Sequence, residues 1–316
     1  METLLSPVIL FFLLGALAAL ARSDLAVPEA IAKGMSLYLM AAIGLKGGKE
    51  VAAAGFTPDM ASAAVAGVAL SVLLPLPAFW LLRRIGKLSP VDAAAAAAHY
   101  GSVSVVTFVT GVEVLTQAGM PPAGYMVAVL ALMETPGILT GLLLARRSGA
   151  TTGGGAGSLW HETLLNGSVV LLVGSFMIGL VAPPAGLEQV KPFFDGLFRG
   201  VLCLFLLDMG LIAARRFREA RALTLPVAAL AIALPLVNGS LGVVIGAGLG
   251  LDVGTAAALG ILAGSASYIA APAVIRMALP QADPGLYLGM SLAVTFPFNI
   301  LVGISLYAAL AQRLVP

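Results

Sequence analysis

Apolar residues fill this chain in long runs, separated by charged residues or by proline and glycine. The runs lie at about 5–21, 29–45, 60–82, 91–118, 122–145, 162–182, 193–214, 222–250, 252–278 and 285–312. Each approaches the roughly 20 residues that a helix needs to cross a hydrocarbon core of ~30 Å. The pattern predicts an all-α polytopic membrane protein with ten transmembrane helices. The first run ends in the small residues Ala18 to Ala21 and so resembles a signal peptide, but Glu2 and the lack of Lys or Arg before it make it a span.

Composition narrows the picture. Of 316 residues 60% are apolar and 10% charged, against roughly 25% charged in a soluble domain. Ten helices take up about 200 residues, leaving connections and no separate extramembrane domain. The basic residues are scattered and the net charge is only +2, so no nucleic-acid partner is implied. The lone Cys203 lies in an apolar run, can form no internal disulfide, and reads as a small core residue.

The basic residues decide orientation. Arg22, Arg83, Arg84, Lys87, Arg146, Arg147, Arg215, Arg216, Arg218, Arg221 and Arg276 fall in odd-numbered connections. Only Lys46, Lys49, Lys191 and Arg313 fall in even ones or the tails, and Lys33 and Arg199 lie within spans. The positive-inside rule makes the odd loops cytoplasmic and puts both termini outside.

The two halves of the chain resemble each other. Glu29, Lys33 and Gly44 are matched by Asp195, Arg199 and Gly210, 166 residues later. Ser89, Asp92, Gly101, Ser102 and Ser104 are matched by Asp252, Thr255, Gly264, Ser265 and Ser267 at an offset of 163. Glu134 and Pro136 meet Thr295 and Pro297 at 161. This predicts a five-helix repeat at 1–147, a Gly-rich cytoplasmic linker at 148–160 and a second repeat at 161–316. An odd number of spans per copy inverts the second copy, the architecture of many secondary transporters, with the site near the midplane where broken or crossing helices meet.

Candidate chemistry sits in the paired segments. Ala98 to Thr107 and Ala263 to Tyr268 place serines beside a glycine in mid-span. Two readings stand: the helices break, freeing amides for an anion and oxygens for Na⁺, or the small residues merely permit close packing. Ser102, Ser104, Thr107, Ser265 and Ser267 are the substrate-binding candidates. Glu134, in mid-span, carries a charge costing at least ~2.5–3.5 kcal/mol there unless partnered. It is a candidate for cation binding or coupling together with Thr295, Asn299 and Tyr268; Pro136 and Pro297 release carbonyls nearby. A protonated or hydrogen-bonded structural Glu134 is the bland alternative.

Other charges read as structural. Glu29 with Lys33 and Asp195 with Arg199 have the i, i+4 spacing of local ion pairs. Ser89 and Asp252 read as N-caps. Asp208 either faces the Arg215 to Arg221 cluster or lies on a pathway. With His99 and His161 the only histidines, no zinc-protease, nucleophile-elbow or Walker A motif occurs, so no enzyme is expected beyond the remote case of a serine acting with His99 as an intramembrane protease.

The ordered set Pro28-Glu29-Ala30-Ile31, Ile43 to Gly48, His99 to Thr107, Leu197 to Gly200, Ser265 to Pro272 and Ala282-Asp283-Pro284 resembles the sodium-dependent bicarbonate transporter family best known from cyanobacteria. The resemblance implies a carrier in the plasma (inner) membrane, a homotrimer in the lipid bilayer, coupling Na⁺ entry to HCO₃⁻ uptake with no cofactor. It also implies that the hydroxyl segments carry the site. Two features depart from the family. An aspartate that closes the family's serine cluster is Tyr268 here, and the long central loop is reduced to the linker, which puts control by a PII-like partner in question. A proton-coupled or exchange carrier for another small anion, and a channel, are the rival readings.

Overall fold

The helices of this chain are set as much by where they stop as by where they run. In the computed structural model, which describes residues 5–149, 167–219 and 223–315, every regular element is helical. In chain order they are α1 (Pro7–Leu20), α2 (Glu29–Ala54), α3 (Pro58–Arg84, kinked at Leu74 before Pro75), α4 (Pro90–Gly101), α5 (Val105–Gln117) and α6 (Met126–Arg147). After the undescribed stretch come α7 (Gly167–Val181), α8 (Pro184–Phe194), α9 (Phe198–Glu219), α10 (Leu225–Gly248), α11 (Val253–Ala263), α12 (Ala270–Ala278) and α13 (Pro284–Leu314). Beyond Gly149 the Gly-rich linker lies outside the described residues, as do His161 and Arg221.

Among the described residues five helices or collinear pairs are long and apolar enough to cross a membrane: α3, α4 with α5, α6, α10 and α13. A sixth results if α8 and α9, bent by 44°, count as one span. The ten apolar runs therefore do not map onto ten uninterrupted helices. The run at 91–118 breaks at Ser102 to Ser104, the run at 252–278 breaks between Gly264 and Ile269, and α13 winds through π-helical turns at Gly289–Thr295 and Asn299–Gly303.

α2 corrects the boundary drawn from hydropathy. Lys46, Lys49 and Glu50 belong to the helix and not to a loop, because α2 continues to Ala54 and ends at Gly55, whose φ of 77° a side chain would disfavour. Hydropathy misses this end because Lys and Glu are good helix formers even where they are not apolar. The Ser89 hydroxyl accepts from Asp92 N at 3.1 Å and Asp252 Oδ1 from Thr255 N at 2.9 Å, so both expected N-caps are formed.

The helices associate in two groups. α1 lies along α9 and α2 along α7, while α3, α4 and α6 pack together and α10, α11 and α13 pack together. Close approach in the first group depends on glycine. A Cβ on Gly44 would collide with Ser175 and Leu172 of α7, and one on Gly210 with the backbone of α1 at Phe12. These two glycines, matched in the sequence, thus sit at helix crossings of the same kind.

Two further contacts tie the halves together. Asp92 Oδ1 accepts from Asp283 N at 2.9 Å, just before α13, and Thr255 Oγ1 accepts from Ala123 N at 2.9 Å, just before α6. Each broken helix is held at its capped end by the other half of the chain.

Candidate functional site

The interruptions in α4/α5 and α11/α12 meet. Ser267 N donates to His99 O at 2.9 Å, and Ser104 N donates to Ser265 Oγ at 2.9 Å. Two unwound segments thus satisfy each other's main chain in a place where unpaired backbone is costly. α5 and α12 begin at this crossing, so two helix amide ends face it, while α4 and α11 bring their carbonyl ends. Of the two readings of the Gly–Ser segments, breakage is the one observed.

Each break is finished by side chains. Ser104 Oγ caps α5 by accepting from Thr107 N at 3.2 Å and from Thr107 Oγ1 at 3.0 Å. Ser267 Oγ accepts from Ala271 N at 3.2 Å at the start of α12. The last carbonyls of α4 and α11 are covered in parallel ways: Gly101 O by the Ser71 hydroxyl at 2.8 Å, and Gly264 O by Asn299 Nδ2 at 2.9 Å. Ser71 also lies 2.7 Å from Met133 O, sharing its one proton between two acceptors.

A cavity of about 10 Å³ opens beside the crossing, lined by Ser104, Ser267, Tyr268 and Glu134 with Met40, Val103, Val105 and Ile269. That volume suits one water or one small ion. Glu134 is 2% exposed, and its Oε2 has no hydrogen-bond partner in the protein. An enclosed carboxylate oxygen that accepts no hydrogen bond from the protein is an acceptor waiting for a cation or a proton. The four candidates Ser104, Ser267, Tyr268 and Glu134 therefore come together around one space.

The remaining candidates stand behind it or elsewhere. Ser102 Oγ donates to Glu134 O at 2.8 Å and so fixes the backbone that carries the carboxylate. Ser265 and Thr107 orient Ser104 as described. Thr295 Oγ1 donates to Ala231 O at 2.6 Å and bonds the Tyr100 hydroxyl at 2.7 Å. Asn299 holds Gly264 O and lies 3.3 Å from the Tyr307 hydroxyl. Neither Thr295 nor Asn299 lines the cavity with Glu134.

Several residues escaped the sequence reading. Ala231 O is free for Thr295 because Pro235, four residues on, has no N–H to offer it. Leu74-Pro75-Leu76 and Leu234-Pro235-Leu236 repeat 160 residues apart, and Pro75 and Pro235 each pack at a helix break, against Gly101 and Gly264. That tripeptide was the available signal for Ser71 and Pro235. Glu113 was the other omission. It is 6% exposed and forms an ion pair with Arg199 Nε, so Arg199 reaches across to α5 and does not pair with Asp195 one turn away.

Two larger clefts lie at opposite ends of α2 and α9. One, of about 540 Å³, is lined by Glu29, Lys33, Ser36, Asp208 and their neighbours. It shares Met40, Tyr268 and Ile269 with the small cavity. The other, of about 420 Å³, is lined by Lys46, Glu113, Thr116, Asp195 and Arg199 and shares no residue with the small cavity.

No protein among curated sequences matches the chain. The family model of the Na⁺-dependent bicarbonate transporter superfamily matches residues 7–312. Nearly the whole chain is covered, broken helices included, and the protein belongs to that superfamily.

Proposed function

We propose that this protein is a sodium-coupled symporter that takes up bicarbonate or a similar small anion by alternating access. The observation that carries the reading is the crossing of two broken helices beside the unpartnered Glu134 carboxylate. Helix amide ends and the Ser104 and Ser267 hydroxyls are suited to replace an anion's water. A Na⁺ at Glu134 offsets the anion's charge and gives the enclosed carboxylate its partner. An inside-negative membrane contributes about 2.3 kcal/mol per charge per 100 mV to cation entry.

The architecture we propose is ten spans in two inverted five-helix repeats, 1–147 and 161–316, joined by the linker 148–160. The broken pairs α4/α5 and α11/α12 each count as one span. Both termini face the outside of the plasma membrane, by the distribution of basic residues. In that orientation the cleft at Glu29 and Asp208 is cytoplasmic, and the cleft at Glu113 and Arg199 is external. The shared wall of Met40, Tyr268 and Ile269 then makes this conformation the inward-facing one, with the Glu113–Arg199 pair closing the outside. Exchange of exposure occurs by movement of the α1/α2/α7/α9 group against the remaining helices. A homotrimer without a resident cofactor is the assembly we infer from the family resemblance, and a PII-like cytoplasmic regulator would have to bind without the family's long central loop.

The test is uptake of labelled bicarbonate into proteoliposomes with and without an inward Na⁺ gradient. Accumulation that requires Na⁺ supports the reading. Accumulation that follows a pH gradient and ignores Na⁺ replaces it with proton coupling, for which Glu134 is the titrating group. Equilibration without accumulation makes the protein a channel.

A further inference from the structure

The 540 Å³ cleft contains a second enclosed carboxylate. Asp208, on α9, is 4% exposed, and its Oδ2 has no hydrogen-bond partner in the protein. The same residue lines the cleft. The sequence leaves Asp208 either facing the basic cluster two turns further along the helix or lying on a pathway; Arg215 acts on it electrostatically but gives its Nη2 to Leu25 O at 2.9 Å and forms no hydrogen bond to Oδ2. A carboxylate oxygen is a pure acceptor, and leaving it enclosed and unmatched is costly. Beside a cleft of about 540 Å³, wide enough for hydrated ions, a mobile cation is the partner that removes the cost.

We propose that Asp208 forms a second monovalent-cation site, a station between the Glu134 cavity and the cleft. Its ligands are oxygens, as a hard cation requires: Asp208 Oδ2 with the hydroxyls of Ser36 and Tyr268, residues that line the same cleft. Tyr268, Met40 and Ile269 border both spaces, so a single layer of side chains separates the two carboxylates' cavities. A cation leaving Glu134 on that side meets Asp208 next. Tyr268, which borders both, is the gate between them. Lys33 and Glu29 lie further toward α2's first turn in the same cleft.

This inference deepens the proposed sodium coupling and rests on it. The experiment is equilibrium binding of radiolabelled Na⁺ to the purified full-length protein in detergent, comparing wild type, Asp208→Asn, Glu134→Gln and Ser36→Ala, with thermal melting as a control for folding. Wild type is expected to bind two Na⁺ components, with Asp208→Asn lacking one and Glu134→Gln lacking the other. Ser36→Ala, which keeps the carboxylate, is expected to weaken the Asp208 component about 3–10-fold, the worth of one polar contact. Unchanged Na⁺ binding in a folded Asp208→Asn protein overturns the second site and leaves Glu134 untouched. If Asp208→Asn does not fold, unchanged binding in Ser36→Ala overturns it instead. No Na⁺ binding in wild type overturns sodium coupling itself.

Discussion

Ser265 Oγ accepts the amide proton of Ser104 at 2.9 Å, joining two helix breaks that lie 161 residues apart in the chain. The same hydroxyl donates to Leu262 O at 2.8 Å, at the end of α11. One side chain therefore satisfies an orphan amide in one half of the molecule and gives a second donor to a carbonyl in the other, which also accepts from Ser265 N at 3.1 Å. Ser265→Ala leaves the Ser104 amide unmatched in a buried place, at a cost of about 1–3 kcal/mol. The expected result is a lower melting temperature in detergent together with loss of anion uptake in proteoliposomes, because Ser104 no longer holds its place beside the cavity. Melting and transport both unchanged would remove Ser265 from the crossing.

Glu134 makes the opposite prediction. Its Oε2 has no protein partner to lose, so Glu134→Gln is expected to melt at or above the wild-type temperature while losing Na⁺ stimulation of uptake. Melting curves and Na⁺ titrations on the same preparation separate a coupling role from a structural one. A variant that melts much lower, with Na⁺ dependence intact, assigns the carboxylate to the fold.

Thr295 was an attractive cation ligand on the sequence because it stands where Glu134 stands in the first half. Its hydroxyl instead sits between Tyr100 and Ala231 O. Thr295→Val keeps the shape and removes those bonds, at about 0.6–2 kcal/mol for hydrogen bonds within a membrane protein. Melting is expected to drop by that order, with the Na⁺ concentration for half-maximal uptake unmoved. A shift in the Na⁺ dependence would return Thr295 to the cation site.

What the sequence made legible is what is local or periodic. Paired glycines and serines locate both breaks, and Ser89 and Asp252 announce their helix starts, because caps and breaks depend on neighbours within one turn. The partner of each hydroxyl was hidden, since Thr295 finds Ala231 O only through a proline on α10, 60 residues earlier. Arg199 has an acid one turn away at Asp195, yet it reaches Glu113 on another helix. Spacing along one helix cannot show such a contact. Hydropathy likewise stopped α2 near residue 45 because it registers apolarity and not helix propensity.

The contact between Gly101 and Gly137 admits no side chain. A Cβ on Gly137 would overlap the carbonyl group of Gly101, where α6 passes the end of α4. Overpacking of this kind costs typically ~1–3 kcal/mol, and here the obstacle is backbone that also carries the Ser71 bond. Gly137→Ala is expected to reduce the yield of monodisperse protein and its melting temperature. Gly34→Ala, with nothing within 4 Å of the added carbon, is the matched control and is expected to be neutral. Equal melting of the two variants would contradict the packing at the break.

The Glu113–Arg199 pair is the contact whose loss should change conformation more than stability. It joins α5, which begins at the crossing, to α9, which belongs to the other helix group, across the 420 Å³ cleft. Arg199 is 63% exposed in this pair, so its worth is at most about 1 kcal/mol. That is still enough to shift a balanced pair of conformations about fivefold. Glu113→Gln is therefore expected to favour the state open on the Arg199 side. The reporter is a cysteine at Ala42, in that cleft's wall, in a protein whose own Cys203 is replaced by alanine. Its reaction rate with a polar thiol reagent should rise about two- to fivefold in Glu113→Gln. Arg199→Gln should give the same increase, and the double variant should add nothing further, because either change alone already removes the pair. Additive increases would mean that the two side chains act separately, and an unchanged rate would mean that the pair does not hold the cleft closed.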